Sequence, residues 1–289
     1  MSGYSSGVNR GKLPGMSLAK RAAWWRLCTA LSLWIVGCST PAASTREARP
    51  TPHAVPPDPG DALPNEQGWG IAGGLRYLEI MRGAANAQQQ LPLLVVIHGM
   101  GDQPSRAWLN AIDVDVPARM ILPQAPNAYG SGFSWFEYRL VERDETTLAS
   151  GIALAAKKLS HMLEVLQTQR SASGRAVVTG FSQGGMLSFA LALRHPEQIA
   201  YAVPISGYLP EPLWPASKPS ASWFPGIQAL HGTADPLVSY DADARGVTQL
   251  RKLGYAVELA SFENVQHTIS PAMSSVVRRA LIQALKQSN

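Results

Sequence analysis

Apolar and polar residues follow one another along this chain in blocks rather than singly. The runs 91–98, 118–122, 175–179, 199–205 and 227–231 are short, rich in Val, Ile, Leu and Ala, and have few polar interruptions. Runs of that kind predict strands buried on both faces. Segments with helical spacing lie between them. In 147–169, Leu148, Ile152, Ala155, Leu159, Met162, Leu163 and Leu166 fall on one face. Helices are also expected over 184–194, 240–253 and 271–286, the last with Pro271 at its first position, where a missing N–H costs nothing. Residues 75–81 suggest a first, antiparallel strand and 256–262 a final one. Strands alternating with helices predict an α/β domain, a mostly parallel central sheet with helices on both faces. Its functional site is expected outside the carboxyl ends of the strands.

The N-terminal part has a different composition. Lys20, Arg21 and Arg26 precede an apolar run from Leu27 to Val36, too short for the roughly 20 residues that span a bilayer. Charged flank and apolar core are those of a secretory signal, and the run closes on Val36-Gly37-Cys38. This resembles a bacterial lipoprotein signal over 1–37, with Cys38 lipidated as the mature N-terminus; Met16 is an alternative start. Pro41, Pro50, Pro52, Pro56, Pro57, Pro59 and Pro64 deny 38–68 regular structure. That segment is expected to tether residues 69–289, one domain, to a membrane. The expected location is periplasmic or cell-surface.

Charge and cysteine content change the picture once the leader is set apart. The chain has 25 Lys+Arg and 20 Asp+Glu, for a net charge of +5. Arg10, Lys12, Lys20, Arg21 and Arg26 account for the whole excess, so the mature chain is balanced and gives no reason to expect a nucleic-acid partner. The two cysteines, Cys28 and Cys38, both lie outside 69–289, which therefore has no disulfide and no thiolate metal site.

Gly180-Phe181-Ser182-Gln183-Gly184 reads G-x-S-x-G between an expected strand and an expected helix. A strand–turn–helix with serine at its apex is a nucleophile elbow. Gly3-Tyr4-Ser5-Ser6-Gly7 matches the same pattern without strand or helix around it, so context separates the two. A serine hydroxyl needs a neutral histidine as base and an acid to orient that histidine, in the chain order Ser, acid, His. Beyond the elbow helix only His231 and His267 remain. Asp235 stands at an expected strand end and His267 in the loop before the last helix. Asp241 and Asp243 are rival acids, expected to face solvent in the first turn of a helix. The glycines of Ile97-His98-Gly99-Met100-Gly101-Asp102 would let backbone approach an oxyanion, with the N–H groups of Met100 and Gln183 as its donors.

Ile97-His98-Gly99-Met100-Gly101-Asp102, Pro123-Gln124-Ala125-Pro126 with Trp135-Phe136, the Ser182 elbow, His231-Gly232-Thr233-Ala234-Asp235 and His267 occur in that order. Together they resemble the phospholipase/carboxylesterase family of α/β hydrolases, which includes the acyl-protein thioesterases, over roughly residues 90–285. The resemblance implies the α/β-hydrolase fold, Ser182 as nucleophile, Asp235 as orienting acid and His267 as base. It implies an oxyanion hole from Met100 and Gln183, and Trp135 in the acyl groove or else in the core. His98 would be structural, and no metal or organic cofactor is implied. Gln266 stands where the family usually has glycine before the histidine, and the leader is unlike the cytosolic members.

The expected function is that of an exported, membrane-anchored serine esterase, carboxylesterase or lysophospholipase-like, whose partners are a small-molecule or lipid ester and the membrane. A non-catalytic binding lipoprotein on the same fold is an alternative. A serine peptidase is another, for which 208–225 would have to restrict entry.

Overall fold

The computed structural model describes residues 60–86, 88–105, 111–137, 144–170, 172–218, 220 and 223–288. The expected leader, Cys38 and most of the expected tether lie outside the described residues.

Eight strands form one sheet: β1 (Trp69–Ala72), β2 (Leu75–Arg82), β3 (Leu93–Ile97), β4 (Ala118–Pro123), then, after a separate hairpin of β5 (Asn127–Tyr129) and β6 (Gly132–Ser134), β7 (Ala176–Phe181), β8 (Ile199–Ile205), β9 (Gly226–Gly232) and β10 (Val257–Phe262). The spatial order is β1-β2-β4-β3-β7-β8-β9-β10. β1 and β2 are antiparallel to their neighbours, and every other pairing is parallel. Helices α1 (Glu145–Gln169), α2 (Gln183–Arg194), α3 (Tyr240–Lys252) and α4 (Pro271–Gln287), with short 3-10 turns at Pro196–Gln198 and Glu211–Leu213, complete the described elements. This is an α/β-hydrolase arrangement, as expected from the alternation of patterns.

The continuous apolar runs follow from burial on two sides. Every residue of β3 and β4 is buried. Successive side chains of a strand point to opposite faces. Leu93, Val95 and Ile97 accordingly join one core layer, with α1, α2 and α3. Leu94 and Val96 join the other, with α4. Arg119 is the polar exception in β4, and it is only 1% exposed. Glu79 of β2 lies 2.5 Å from Arg119 and 2.6 Å from Arg170 at the end of α1, so the buried charge is paired.

Helix starts obey local rules. Asp144, Ser239 and Ser270 cap α1, α3 and α4 by accepting from Thr146, Ala242 and Met273 N–H, and Pro271 occupies the first turn of α4. The pattern reading missed two short features. β1 turns into β2 through Gly73-Gly74, both at positive φ, and β5 into β6 through Gly130-Ser131, with Gly130 at φ 58°. Glycine-led two-residue turns are a hairpin signal that short strands without apolar alternation otherwise hide. The chain also engages the domain before residue 69: Ala62 pairs with Ile71, and the Asp61 carboxylate accepts from Gly73 N–H at 2.7 Å.

Candidate active site

Ser182 sits between β7 and α2 with φ 58° and ψ −115°, a backbone conformation costly for any residue with a Cβ. Crowding on three sides enforces it. A Cβ on Gly180 would lie 2.6 Å from Ile97 O and from Gly184; one on Gly184 would lie 2.0 Å from Ile97 O. A Cβ on Gly185 would come within 2.6 Å of Ile205 O. β3 and β8 thus press on the first turn of α2, and only glycine fits there. Ser182 N–H donates to Ile205 O at 3.0 Å, and Ser182 O accepts from Met186 N–H at 3.0 Å.

Asp235 and His267 come together across 32 residues: His267 Nδ1 lies 2.6 Å from Asp235 Oδ2. The other oxygen of Asp235 accepts from the N–H groups of Leu237 and Val238, each at 2.9 Å. Burial of the Asp235 carboxyl opposes ionisation. Contacts from His231, His267 and those two N–H groups outweigh it and hold the carboxyl well below the usual carboxylate range. An ionised Asp235 makes Nδ1 of His267 the donor, so Nε2 is left as the ring's acceptor. The two loops are joined by backbone: Thr233 N–H donates to Phe262 O and Ala234 N–H to Val265 O. Gln266, in place of the family's usual glycine, takes part in a tight turn, its carbonyl accepting from Thr268 N–H at 2.8 Å. The Phe181 ring packs on the His267 ring at 4.6 Å between centroids, which places the imidazole beside the elbow. Among the described residues no hydrogen bond yet joins the Ser182 hydroxyl to His267; such contacts tighten when substrate closes a site.

Gly99 lies against Ser182, a Cβ there falling 3.4 Å from Ser182 Cβ. The neighbouring Met100 N–H and the N–H of Gln183, first residue of α2, donate to no backbone carbonyl among the described residues. Both remain available to a developing oxyanion. The supports of this candidate oxyanion hole could not be read from the motifs. Gln183 is 2% exposed. Its side-chain oxygen accepts from Trp135 N–H at 3.0 Å, and its amide donates to Phe136 O at 2.9 Å. Gly101 N–H donates to Phe133 O, and Phe133 N–H to Asp102 O. The β5–β6 hairpin therefore clamps the Gly99–Asp102 turn from one side.

Trp135 lies in the core at 3% exposure, its indole N–H donating to His98 O at 3.0 Å. This is the core position weighed for it, with little surface left for a groove. His98 is structural. Its Nδ1–H donates to Gly99 O at 2.7 Å and its Nε2 accepts from Ala125 N–H at 3.1 Å, while burial lowers its pKa and keeps the ring neutral. Asp241 is exposed as expected, but Asp243 is not: it is 1% exposed and lies 2.8 Å from His231 Nδ1. Its helix turns that position inward against β9, which the first-turn location alone does not reveal. Among the described residues no group of three or more His, Asp and Glu is disposed to hold a metal ion.

Comparison with known proteins agrees with this arrangement. A model of the phospholipase/carboxylesterase family matches residues 77–283. A probable carboxylesterase of Oryza sativa is 27% identical over 202 residues, which is 65% of this chain and 75% of that protein. Acyl-protein thioesterase 1 of Gibberella zeae is 24% identical over 224 residues, 70% of this chain and 94% of the relative. Among solved structures, esterase PE8 superposes with a TM-score of 0.59 at 24% identity, covering 71% of this chain and 99% of its own. Zea mays acyl-protein thioesterase 2 does so with 0.57 at 24% identity, covering 73% and 99%. With the family match spanning most of the chain and the fold shared with these esterases, the protein belongs to the phospholipase/carboxylesterase family of α/β hydrolases.

Proposed function

We propose that the protein is a serine carboxylic-ester hydrolase that works through an acyl-Ser182 intermediate. The observation that carries this reading is the 2.6 Å His267–Asp235 contact, set beside a serine held at φ 58° on a nucleophile elbow. Ser182 Oγ attacks the ester carbonyl carbon as its proton passes to His267 Nε2. The carbonyl oxygen becomes an oxyanion facing the N–H groups of Met100 and Gln183; losing one such donor typically costs about 3–4 kcal/mol. The tetrahedral species collapses, the C–O bond to the alcohol breaks, and His267 returns the proton to the leaving oxygen. Water, deprotonated by His267, then releases the acid and restores Ser182. Asp235 stays ionised throughout and stabilises the imidazolium that forms twice per turnover.

The rim of the site favours an apolar acyl or alcohol group. Tyr129, 51% exposed, overlies Gly101, and Leu237, 47% exposed, stands two residues past Asp235. Thioesters undergo the same acyl transfer, and the names of several relatives point that way. The leader pattern adds a place of action: export, with lipidation of Cys38 and tethering to a membrane. Among the described residues no helix is long and apolar enough to cross one.

The test is hydrolysis of p-nitrophenyl esters from acetate to palmitate by the purified chain, beside Ser182→Ala and His267→Ala. Activity that collapses in both variants, with fluorophosphonate labelling lost in Ser182→Ala, is the expected result. A folded protein with neither hydrolysis nor labelling would instead be a binding lipoprotein. Incorporation of labelled fatty acid in cells, abolished by Cys38→Ala, tests the tether.

A further inference from the structure

The proposed triad leaves one buried titratable pair unused. His231, near the end of β9, is 0% exposed, and Asp243, in the first turn of α3, is 1% exposed. His231 Nδ1 lies 2.8 Å from Asp243 Oδ2. On the ring's other side, Nε2 lies 3.2 Å from Val238 O and 3.5 Å from Asp235 Oδ2. That carboxylate oxygen is the one contacted by His267. Four side chains thus stand in a line: Asp243, His231, Asp235, His267.

Proton counting constrains the line. A carbonyl oxygen only accepts, so Nε2 of His231 carries a hydrogen. The Nδ1 side faces a carboxylate, so a second proton lies between His231 and Asp243. Two carboxylates buried this deeply repel each other and are poorly solvated, and a cation between them relieves both penalties. Among the described residues no other charged group is hydrogen-bonded or ion-paired to the ring, which meets Asp243 and the edge-on ring of Tyr240 from α3 and Asp235 and Val238 O from the connecting loop, with Ser261 in register with it on β10.

We propose that His231 is a buried imidazolium that acts as a positioning residue, fixing Asp235 as the ionised, correctly turned partner of His267. Asp243, His231 and Asp235 then carry one net negative charge. That matches the single positive charge formed on His267 in each transition state. Without His231 the positive charge beside Asp235 is gone, which favours the protonated, inactive resting form of His267. Without Asp243 a negative charge is removed instead, and that form is not favoured. Burial alone would discharge His231, but Asp235 and Asp243 outweigh it and raise its pKa to about 9, in keeping with the geometry.

The kinetic arm of the test rests on the ester-hydrolase function proposed above; the spectroscopic arm does not. In the chain selectively labelled with ¹⁵N-histidine, both ring nitrogens of His231 are expected to remain protonated from pH 7 to 8. A neutral ring with one bare nitrogen would overturn the proposal, and this measurement needs no variant to fold and no activity. Kinetically, the acid limb of the kcat/KM–pH profile for p-nitrophenyl butyrate should move up by about 0.5–1 pH unit in His231→Gln, a loss of ~2–5-fold at the parent's midpoint. KM should stay within about twofold, because the substrate does not touch His231. Asp243→Asn should leave the limb in place or move it down. Limbs unmoved in His231→Gln, or displaced upward in both variants, would mean that the pair only braces β9 against α3. An inactive parent would count against the ester-hydrolase function, while the state of His231 would still be decided by the nitrogen resonances.

Discussion

Gly232 and Val265 meet backbone to backbone: a Cβ on Gly232 would lie 2.2 Å from Val265 O. That contact sets the loop bearing His267 against the turn bearing Asp235, and the Ala234 N–H to Val265 O bond closes beside it at 3.1 Å. The His267–Asp235 geometry is therefore a property of two loops packed without side chain between them. Gly232→Ala is expected to force the loops apart. Overpacking of this kind costs about 1–3 kcal/mol, and a shift near 1 Å at the base can cost ~100-fold in rate. Thermal unfolding and kcat of the variant check both parts, and a variant with parental kcat would contradict the stated role of the contact.

The conformation of Ser182 predicts an opposition between stability and activity. At φ 58° a Cβ is strained, and glycine relieves the strain. Ser182→Gly should be more stable than Ser182→Ala by about 1–2 kcal/mol, although both lack the hydroxyl and should be equally inactive. Chemical denaturation of the two variants measures the difference; equal stabilities would show that the surrounding backbone holds no strain at the elbow.

Gln183 has two separable parts, a backbone N–H proposed as an oxyanion donor and a side chain that pins the β5–β6 hairpin. Gln183→Ala keeps the first and removes the second. Trp135 N–H and Phe136 O lose their Gln183 contacts in the interior, at a cost of about 2–4 kcal/mol together. Stability measured by denaturant titration should fall accordingly, and kcat should fall because the Gly99–Asp102 turn loses its clamp. Loss of stability without loss of kcat would show that the hairpin is not needed to hold that turn.

His231 predicts the alkaline side of the stability profile. Its unfolded pKa is near 6.5 and its folded value is raised to about 9 by Asp235 and Asp243 against the opposing effect of burial. Between those values the native state holds a proton that the unfolded state has released, so unfolding free energy falls as pH rises. The contribution is complete below about pH 6.5, is lost by about pH 9, and is on the order of 3 kcal/mol. Burial raises Asp243 to about 6 despite His231, which places its own titration below this window. Melting temperatures from pH 6 to 9.5 should therefore decline in the parent and be flatter in His231→Gln. Parallel curves would place the titration on another group.

Leu237 and Tyr129 predict chain-length preference. Leu237→Asp should lower kcat/KM for octanoate and longer esters about tenfold, the value of one well-buried leucine-sized contact, and leave acetate within about twofold. A uniform drop across chain lengths would assign Leu237 to the support of Asp235 instead.

The sequence by itself determined the central strands and the helices, and it singled out the candidate reactive side chains. Continuous apolar runs marked the strands buried on both faces, helical spacing marked α1 to α4, and Ser182, Asp235 and His267 stood in hydrolase order, at an elbow and in the loops that follow strands. These are local signals, carried by residues close together in the chain. Tertiary structure decided what depends on residues distant in sequence. The hairpin that clamps the Gly99–Asp102 turn has little apolar alternation of its own and takes its meaning from Gln183, roughly fifty positions on. Asp243 in a first helical turn reads as a solvent-facing helix acid, and only the packing of α3 on β9 turns it inward to His231. Trp135 could have faced groove or core, and the bond to His98 O settled it in the core. A side chain's charge state and its partners follow from burial and from what is packed against it, and those are properties of the assembled fold rather than of any segment.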